Sequence, residues 1–452
     1  MASRPADATS ESARDHSPPV IAVERASRDS RWPSPSAART RRHAVTSGLL
    51  FLAAVAAAVV FRMLLPPAQR TNESSDYRDF YAPVAQQILA GSGPTVPDSG
   101  GPAVRYPPGY PALLAAAFAI ARGVGVTDER GAIVLGVLAA GVVAALLERI
   151  ASAAWEPRIA WVAGLAWLTY PLALWLTKQP CSELPFMVLL VAAVGLAWRA
   201  LHGARPAASC AMAGVLVGLA MLVRPIAIGT GVVLGAALVL AGRGWKRLRA
   251  RVALGTLLVL ASIVTVLPWE LWVYERTGRV VALSTAGVSS IADGLLLTDT
   301  TKEYRHVAGV PSDVAAVIDD IRRSADRIGS TSGAVAIVAH EARERPVAAA
   351  KLLGLKAIRS WYGTDSGRYE AAVAAIQIVY VGLALGGAWI AWTAGGRPRT
   401  LAVFVGLLTL YFWAMTVTVL SIARYMVPAI GLAFVLVPGV VARLRRGPAS
   451  VP

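Results

Sequence analysis

Apolar residues in this chain come in runs of about 20, the length that crosses about 30 Å of hydrocarbon. Such runs lie near 44–65, 129–153, 158–177, 184–200, 208–223, 225–241, 252–273, 371–393, 401–420 and 425–442, and they predict ten membrane-spanning helices. The stretch 110–124 is shorter and follows Pro107, Pro108 and Pro111, so it reads as a helix that lies in the interface or dips in and returns. The long polar stretch 274–370 has amphipathic helical spacing, as in "SDVAAVIDDIRRSADRI", without an obvious core of its own. The fold class is therefore all-α and polytopic.

Basic residues set the orientation. They cluster in "RTRRH" before the first span, at Arg199 with Arg205, in "RGWKRLRAR" at 243–251, in "RPR" at 397–399 and in "RLRR" at 443–446. All should face the cytoplasm. They do so only if 110–124 does not cross, which also puts both termini inside. Because 208–241 has basic residues at both ends it must cross twice, with its turn near Arg224-Pro225 at the outer side. The outer face then carries the loop 66–128, the turn from Lys178 to Glu183, the turn at Arg224, and 274–370.

Composition agrees: of 452 residues, 56% are hydrophobic and 16% charged. The net charge of +17 comes from the loop clusters, not from a basic and aromatic stripe that would hold nucleic acid. Residues 1–43 read as a disordered cytoplasmic tail and 443–452 as a second one, with 44–442 as the membrane domain. Cys181 and Cys210 fall on opposite sides of the membrane, which argues against a disulfide. There is no internal repeat, nor the paired broken spans of a transporter with inverted halves.

The outer-face residues, in order, carry a pattern. After the first span comes "SDYRDFYAPVAQQILAG", with Asp76, Asp79, Tyr81, Ala85, Ile88 and Gly91, then "RYPPGYP" with Pro107, Pro108, Gly109, Tyr110 and Pro111. "CSELPFMVLL", "LVRP", "LPWELWVYERTGRVVALSTAG" and "ARYMVP" follow. The set resembles the polyprenyl-phosphate-sugar glycosyltransferases of the GT-C superfamily, relatives of the bacterial protein O-mannosyltransferases and lipid A aminoarabinose transferases. It spans about residues 45–440. Relatives carry Arg-Asn shortly after the Pro-Trp pair, where this chain has Trp272-Val273.

The resemblance implies a transferase that moves a sugar from a polyprenyl-phosphate donor to a lipid, glycan or protein acceptor, in the bacterial inner membrane with the site on the outer face. Such a reaction needs a base for the acceptor hydroxyl and cations for the departing phosphate. Asp76 or Asp79 is the candidate base; one carboxylate acting as base implies inversion. Arg224, Arg424 and Lys178 are candidate phosphate ligands, since an arginine fork suits phosphate oxygens. Glu183 supplies a further carboxylate, and Tyr81, Pro107, Pro108 and Tyr110 shape a groove. Asp79 also suits a helix cap, Glu183 a helix N-terminus, and Arg224 or Lys178 a snorkelling cation. A divalent ion on Asp76, Asp79 or Glu183 is compatible with the residue types. His306 and His340 lack metal-ligand spacing, and Asp319 and Asp320 read as a solvated helix face. Two other classes compete. One is a transporter or lipid flippase, which should line a midplane path with charge. The other is an oligosaccharide polymerase or ligase.

Overall fold

A computed structural model describes residues 37–70, 74–242, 247–297, 309–324 and 331–446. Of the expected tails at 1–43 and 443–452, residues 1–36 and 447–452 lie outside them, as does His306, while 37–43 and 443–446 are helical. Among the described residues eight helices are long and apolar enough to cross a membrane. They include α1 (Ala37–Leu64), α4 (Asp128–Ala154), α7 (Glu183–Ala200), α8 (Pro206–Val223), α10 (Leu248–Thr277), α15 (Glu370–Ala394) and α16 (Gly396–Thr418). The eighth joins α17 (Ala423–Ala433) to α18 (Pro438–Arg446) through a 3-10 turn at Phe434–Leu436. Helices dominate because hydrocarbon leaves every backbone polar group to be satisfied within its own segment.

The two other expected spans fall on shorter helices. Residues 157–176 form α5 (Pro157–Thr169) and α6 (Pro171–Leu176), interrupted at Tyr170-Pro171, where the proline ring stops the first helix. Residues 225–241 form a 3-10 turn and α9 (Thr230–Ala241). The first helix starts at Ala37, earlier than the apolar run, because "ARTRRH" consists largely of good helix formers.

The bundle packs closely through small residues. Gly214 and Gly218, four apart on α8, face α10; a Cβ at Gly218 would come 2.5 Å from the Thr265 Cβ, and one at Gly214 would strike the Leu258 carbonyl. Polar contacts mark the two ends of the bundle. At one end Ser47 donates to the buried Glu148 at 2.6 Å, Trp155 Nε1 to the Val435 carbonyl at 2.9 Å, and Trp198 Nε1 to Thr400 at 2.9 Å. At the other end lie Lys178, Glu183, Arg224 and Arg424.

Helix α3 (Gly109–Gly123) settles into that second end. Its first residue abuts the last turn of α8, since a Cβ on Gly109 would meet the Leu222 carbonyl oxygen at 2.6 Å. Its far end packs on the first turn of α4, where Arg122 pairs with Asp128 at 2.6 Å. Both its ends touch the same end of the bundle, so it runs across these helices rather than alongside them.

The stretch 274–370 does have a core, contrary to the sequence expectation. Val314, Val317, Ile318 and Ile321 of α12 (Ser312–Arg323) are buried with Leu295–Leu297, Ala334, Ala348 and Leu352. The partners come from α11 (Ala286–Leu295), α13 (Thr331–Glu344) and α14 (Pro346–Arg359). Asp320 meets Arg323 and Arg345, Asp319 is exposed, and so is His340.

Candidate active site

Two links place the central cations. Arg224 ends α8 in an extended conformation, with Pro225 preventing the helix from continuing. Arg424 sits in the first turn of α17. Both converge on Glu183 at the start of α7. Arg224 Nη1 lies 2.8 Å from Glu183 Oε1, and Arg424 Nε bonds the same oxygen. Glu183 is only 1% exposed, and its Oε2 makes no hydrogen bond. Arg224 Nη1 also donates to the Ser182 hydroxyl at 2.9 Å, and its guanidinium lies over the Tyr425 ring at 5.6 Å. One buried carboxylate thus faces two guanidiniums, which leaves surplus positive charge.

Lys178 adds to it. The residue is buried, its ammonium sits 4.4 Å from the Trp175 ring centre, and its carbonyl accepts from Arg62. Among the described residues no carboxylate pairs with it. Burial, then the charges of Arg424 and Arg62, push its amine below the usual lysine range.

The first loop folds over this cluster. Its helix begins at Ser75, and the hydroxyl of the preceding Ser74 accepts from the Tyr77 N–H at 3.2 Å, so neither aspartate caps it. Residues Tyr77–Tyr81 form a π-turn before α2 (Ala82–Leu89). Asp76 is half-buried, and its Oδ1 accepts from the Tyr106 hydroxyl at 2.9 Å. Asp79 is exposed and paired with its neighbour Arg78 at 2.8 Å, which lowers its carboxyl below the usual range. Phe80, Tyr81, Tyr106 and Tyr110 make an aromatic wall with ring centres 4.9–5.7 Å apart. Pro107 is buried and Pro108 half-buried behind it. Burial raises the Tyr81, Tyr106 and Tyr110 phenols, and the neighbouring Asp76 raises Tyr106 further. The Tyr81 hydroxyl lies within electrostatic reach of Arg224, Tyr106, Asp76 and Glu183, so the loop and the cation cluster share one site.

Asp76, Tyr81, Tyr110, Lys178, Glu183, Arg224 and Arg424 therefore come together, while Asp79 turns away. Sequence reasoning missed Tyr106, Tyr425 and Asp365. Tyr106 and Tyr425 stand inside quoted motifs, beside Pro107 and Arg424. Asp365, whose charge acts on Arg424 and Tyr425, sits in the irregular stretch "YGTDSG", which carries no periodic signal. Among the described residues no three His, Cys, Asp or Glu side chains group to hold a metal ion. Glu183 is occupied by guanidiniums and Asp79 by Arg78. Cys181 and Cys210 are both free and buried. At the position where the chain departs from its relatives, Trp272 stacks on Trp269 at 5.2 Å and lies 5.6 Å from Arg276.

The described residues form an all-helical bundle with a first loop folded over charged helix ends. The comparisons agree with the resemblance drawn from the motifs. Residues 105–272 match the family described as dolichyl-phosphate-mannose-protein mannosyltransferase. The fold is shared with the oligosaccharyltransferase of Archaeoglobus fulgidus in its apo form (12% identity, TM-score 0.55, 88% of this chain and 51% of that one). It is shared too with the oligosaccharyltransferase AglB of the same organism, in complex with an inhibitory peptide and a dolichol-phosphate (12%, 0.53, 87% and 50%). The chain thus spans about half the length of these archaeal proteins. ArnT from Cupriavidus metallidurans bound to undecaprenyl phosphate also matches (17%, 0.40, 88% and 78%). No curated protein sequence matches.

Proposed function

We propose that the protein is a membrane glycosyltransferase that moves a sugar from a polyprenyl-phosphate donor to an acceptor hydroxyl at the outer membrane surface, with inversion. The observation that carries this reading is the pairing of one buried carboxylate, Glu183, with two arginines beside the half-buried Asp76. Glu183 holds Arg224 and Arg424 in place, and their surplus charge, with Lys178, receives the donor phosphate. The acceptor oxygen attacks the anomeric carbon while Asp76 takes its proton, and the bond from that carbon to the phosphate oxygen breaks. The electron pair leaves with the polyprenyl phosphate, whose charge grows as it departs, so the arginine contacts strengthen in the transition state. The aromatic wall of Tyr81, Tyr106 and Tyr110 flanks the sugar. Asp79 is not needed.

The transporter reading finds less support, because the charged groups lie at the ends of the bundle instead of lining its middle. The test is incubation of purified protein in nanodiscs with a labelled polyprenyl-phosphate sugar and candidate acceptors. Release of polyprenyl phosphate, lost in Asp76→Asn and kept in Asp79→Asn, is the expected result. Wild-type release in Asp76→Asn removes the mechanism.

A further inference from the structure

Two further cations are buried outside the Glu183 cluster. Lys356 and Arg359 stand three apart on α14 and are each 2% exposed. Buried cations are expensive and need dedicated partners. Lys356 Nζ donates to the Gly294 carbonyl at 2.7 Å and to the Val419 carbonyl at 3.2 Å. Arg359 Nη1 donates to the Ser421 carbonyl at 3.3 Å and the Leu297 carbonyl at 3.5 Å. Its Nη2 donates to the Thr364 carbonyl at 2.9 Å and pairs with Glu370 at 2.8 Å.

One bond from each cation reaches the same segment, at Val419 and Ser421. Val419 to Ile422 is the non-helical link between α16 and α17. After it comes Ala423, whose N–H donates to the Gly363 carbonyl at 2.8 Å, and then Arg424. The link is confined on both sides. A Cβ on Gly294 would strike the Val419 carbonyl and come 2.9 Å from Lys356 Nζ, and one on Gly363 would meet the Ser421 carbonyl at 2.7 Å. Trp413 Nε1 ties α16 to the same helix through the Ala357 carbonyl at 2.9 Å. Within the link the Val419 N–H donates to the Met415 carbonyl at 3.1 Å and the Ile422 N–H to the Leu420 carbonyl at 3.0 Å, but the Val419 and Ser421 carbonyls turn out of the helices. Here the end of α14 supplies their partners.

We propose that α14 is a brace that fixes Arg424 in the site, with Lys356 and Arg359 as positioning residues. The inference deepens the reading of Arg424 as a phosphate ligand. It gives the segment 274–370 a part in the reaction besides covering the membrane face: its last helix sets the aim of a guanidinium it does not touch. Asp365, six residues beyond Arg359, acts on that guanidinium directly through its charge.

The experiment uses the full chain in nanodiscs with undecaprenyl phosphate as the probe. Lys356→Met keeps the stem and removes the donors. It should weaken binding on the order of tenfold, as expected for coupled residues. In an Arg424→Ala background it should cost nothing further. Hydrogen exchange over 419–426, which needs no lipid, should quicken. If Lys356→Met does not fold, Gly294→Ala perturbs the same link from the other side. Equal losses of affinity in both backgrounds, or unchanged exchange over 419–426, overturn the brace. Faster exchange with no lipid binding by the wild type keeps the brace and defeats the phosphate reading alone.

Discussion

Replacing Glu183 by glutamine should loosen the site and make it depend on its lipid. The substitution keeps the volume and removes the counter-charge of two guanidiniums. Arg224 Nη1 sits 2.8 Å from the carboxylate, a separation at which unit charges attract by about 6 kcal/mol at an effective dielectric of ~20. That figure overstates the net value, because burying the charges costs part of it. Removing one partner of a buried pair, however, leaves the others uncompensated and typically costs about 3–5 kcal/mol. Arg224 is 15% and Arg424 28% exposed, so water recovers some of this, and the lower end, about 3 kcal/mol, is the expected loss. At about 1.4 kcal/mol per factor of ten, the effect is easily seen in thermal unfolding of detergent-purified protein. The sharper readout is the lipid. A phosphate returns negative charge to the orphaned arginines, so undecaprenyl phosphate should raise the melting temperature of Glu183→Gln more than that of the wild type. Turnover should still fall, on the order of 10²-fold, because the guanidiniums are no longer aimed. A variant that melts with the wild type and gains no larger shift from the lipid would refute both the frame and its charge.

Arg224→Ala should lower turnover on the order of 10²-fold as well as donor affinity, and Arg224→Lys should recover only part, since an ammonium cannot make a two-pronged contact; initial rates against donor concentration decide it. Lys356 carries a pH prediction. Burial, helped by the charge of Arg359, brings its amine down to about 7. Between about 7 and the ordinary lysine value the unfolded chain holds a proton that the native one lacks. Stability should therefore rise with pH through that window, by at most about 1.4 kcal/mol per pH unit from this group, and the penalty should be fully present below it. Lys356→Met should remove that contribution in melts from pH 7 to 9, and an unchanged slope would count against it. For sidedness, cysteines at Ser99 and Val280, both exposed, should react with an impermeant reagent from outside, and cysteines at Arg205 and Arg247 should not; reaction of all four from one side overturns the charge argument.

Much of this arrangement was legible because membrane segments are long and their charges sit at their ends. Glu183 and Arg424 are far apart in the chain, yet parity alone put both at the outer ends of spans, and Arg224 joined them once 208–241 had to cross twice. What parity cannot supply is convergence. Which outer ends are neighbours depends on helix packing, such as the close approach of α8 and α10 at Gly214 and Gly218, and no local pattern reports it. The core of 274–370 was missed for a similar reason. Val314, Val317, Ile318 and Ile321 have helical spacing, but their partners Leu295 and Leu352 come from other helices, so each piece alone reads as a surface helix.

Asp76 and Asp79 make the limit sharpest. Three residues apart on an ordinary α-helix, they would share a face, and either would serve as base. The chain instead makes a π-turn, with the Ala82 N–H donating to the Tyr77 carbonyl. A ring of that size takes more residues per turn, so residues three apart separate further around the axis. Asp76 then reaches Tyr106, and Asp79 is left with Arg78 and solvent. Nothing in "SDYRDFYAP" announces the wider turn, because it follows from packing Phe80 and Tyr81 against Tyr106. The same packing predicts how to merge the two roles. Tyr106→Ala removes both the hydroxyl on Asp76 and the ring that the turn packs against. Its loss of turnover should exceed that of Tyr106→Phe, which removes the hydroxyl alone. Equal losses would mean that the hydrogen bond, and not the wall, sets where Asp76 points.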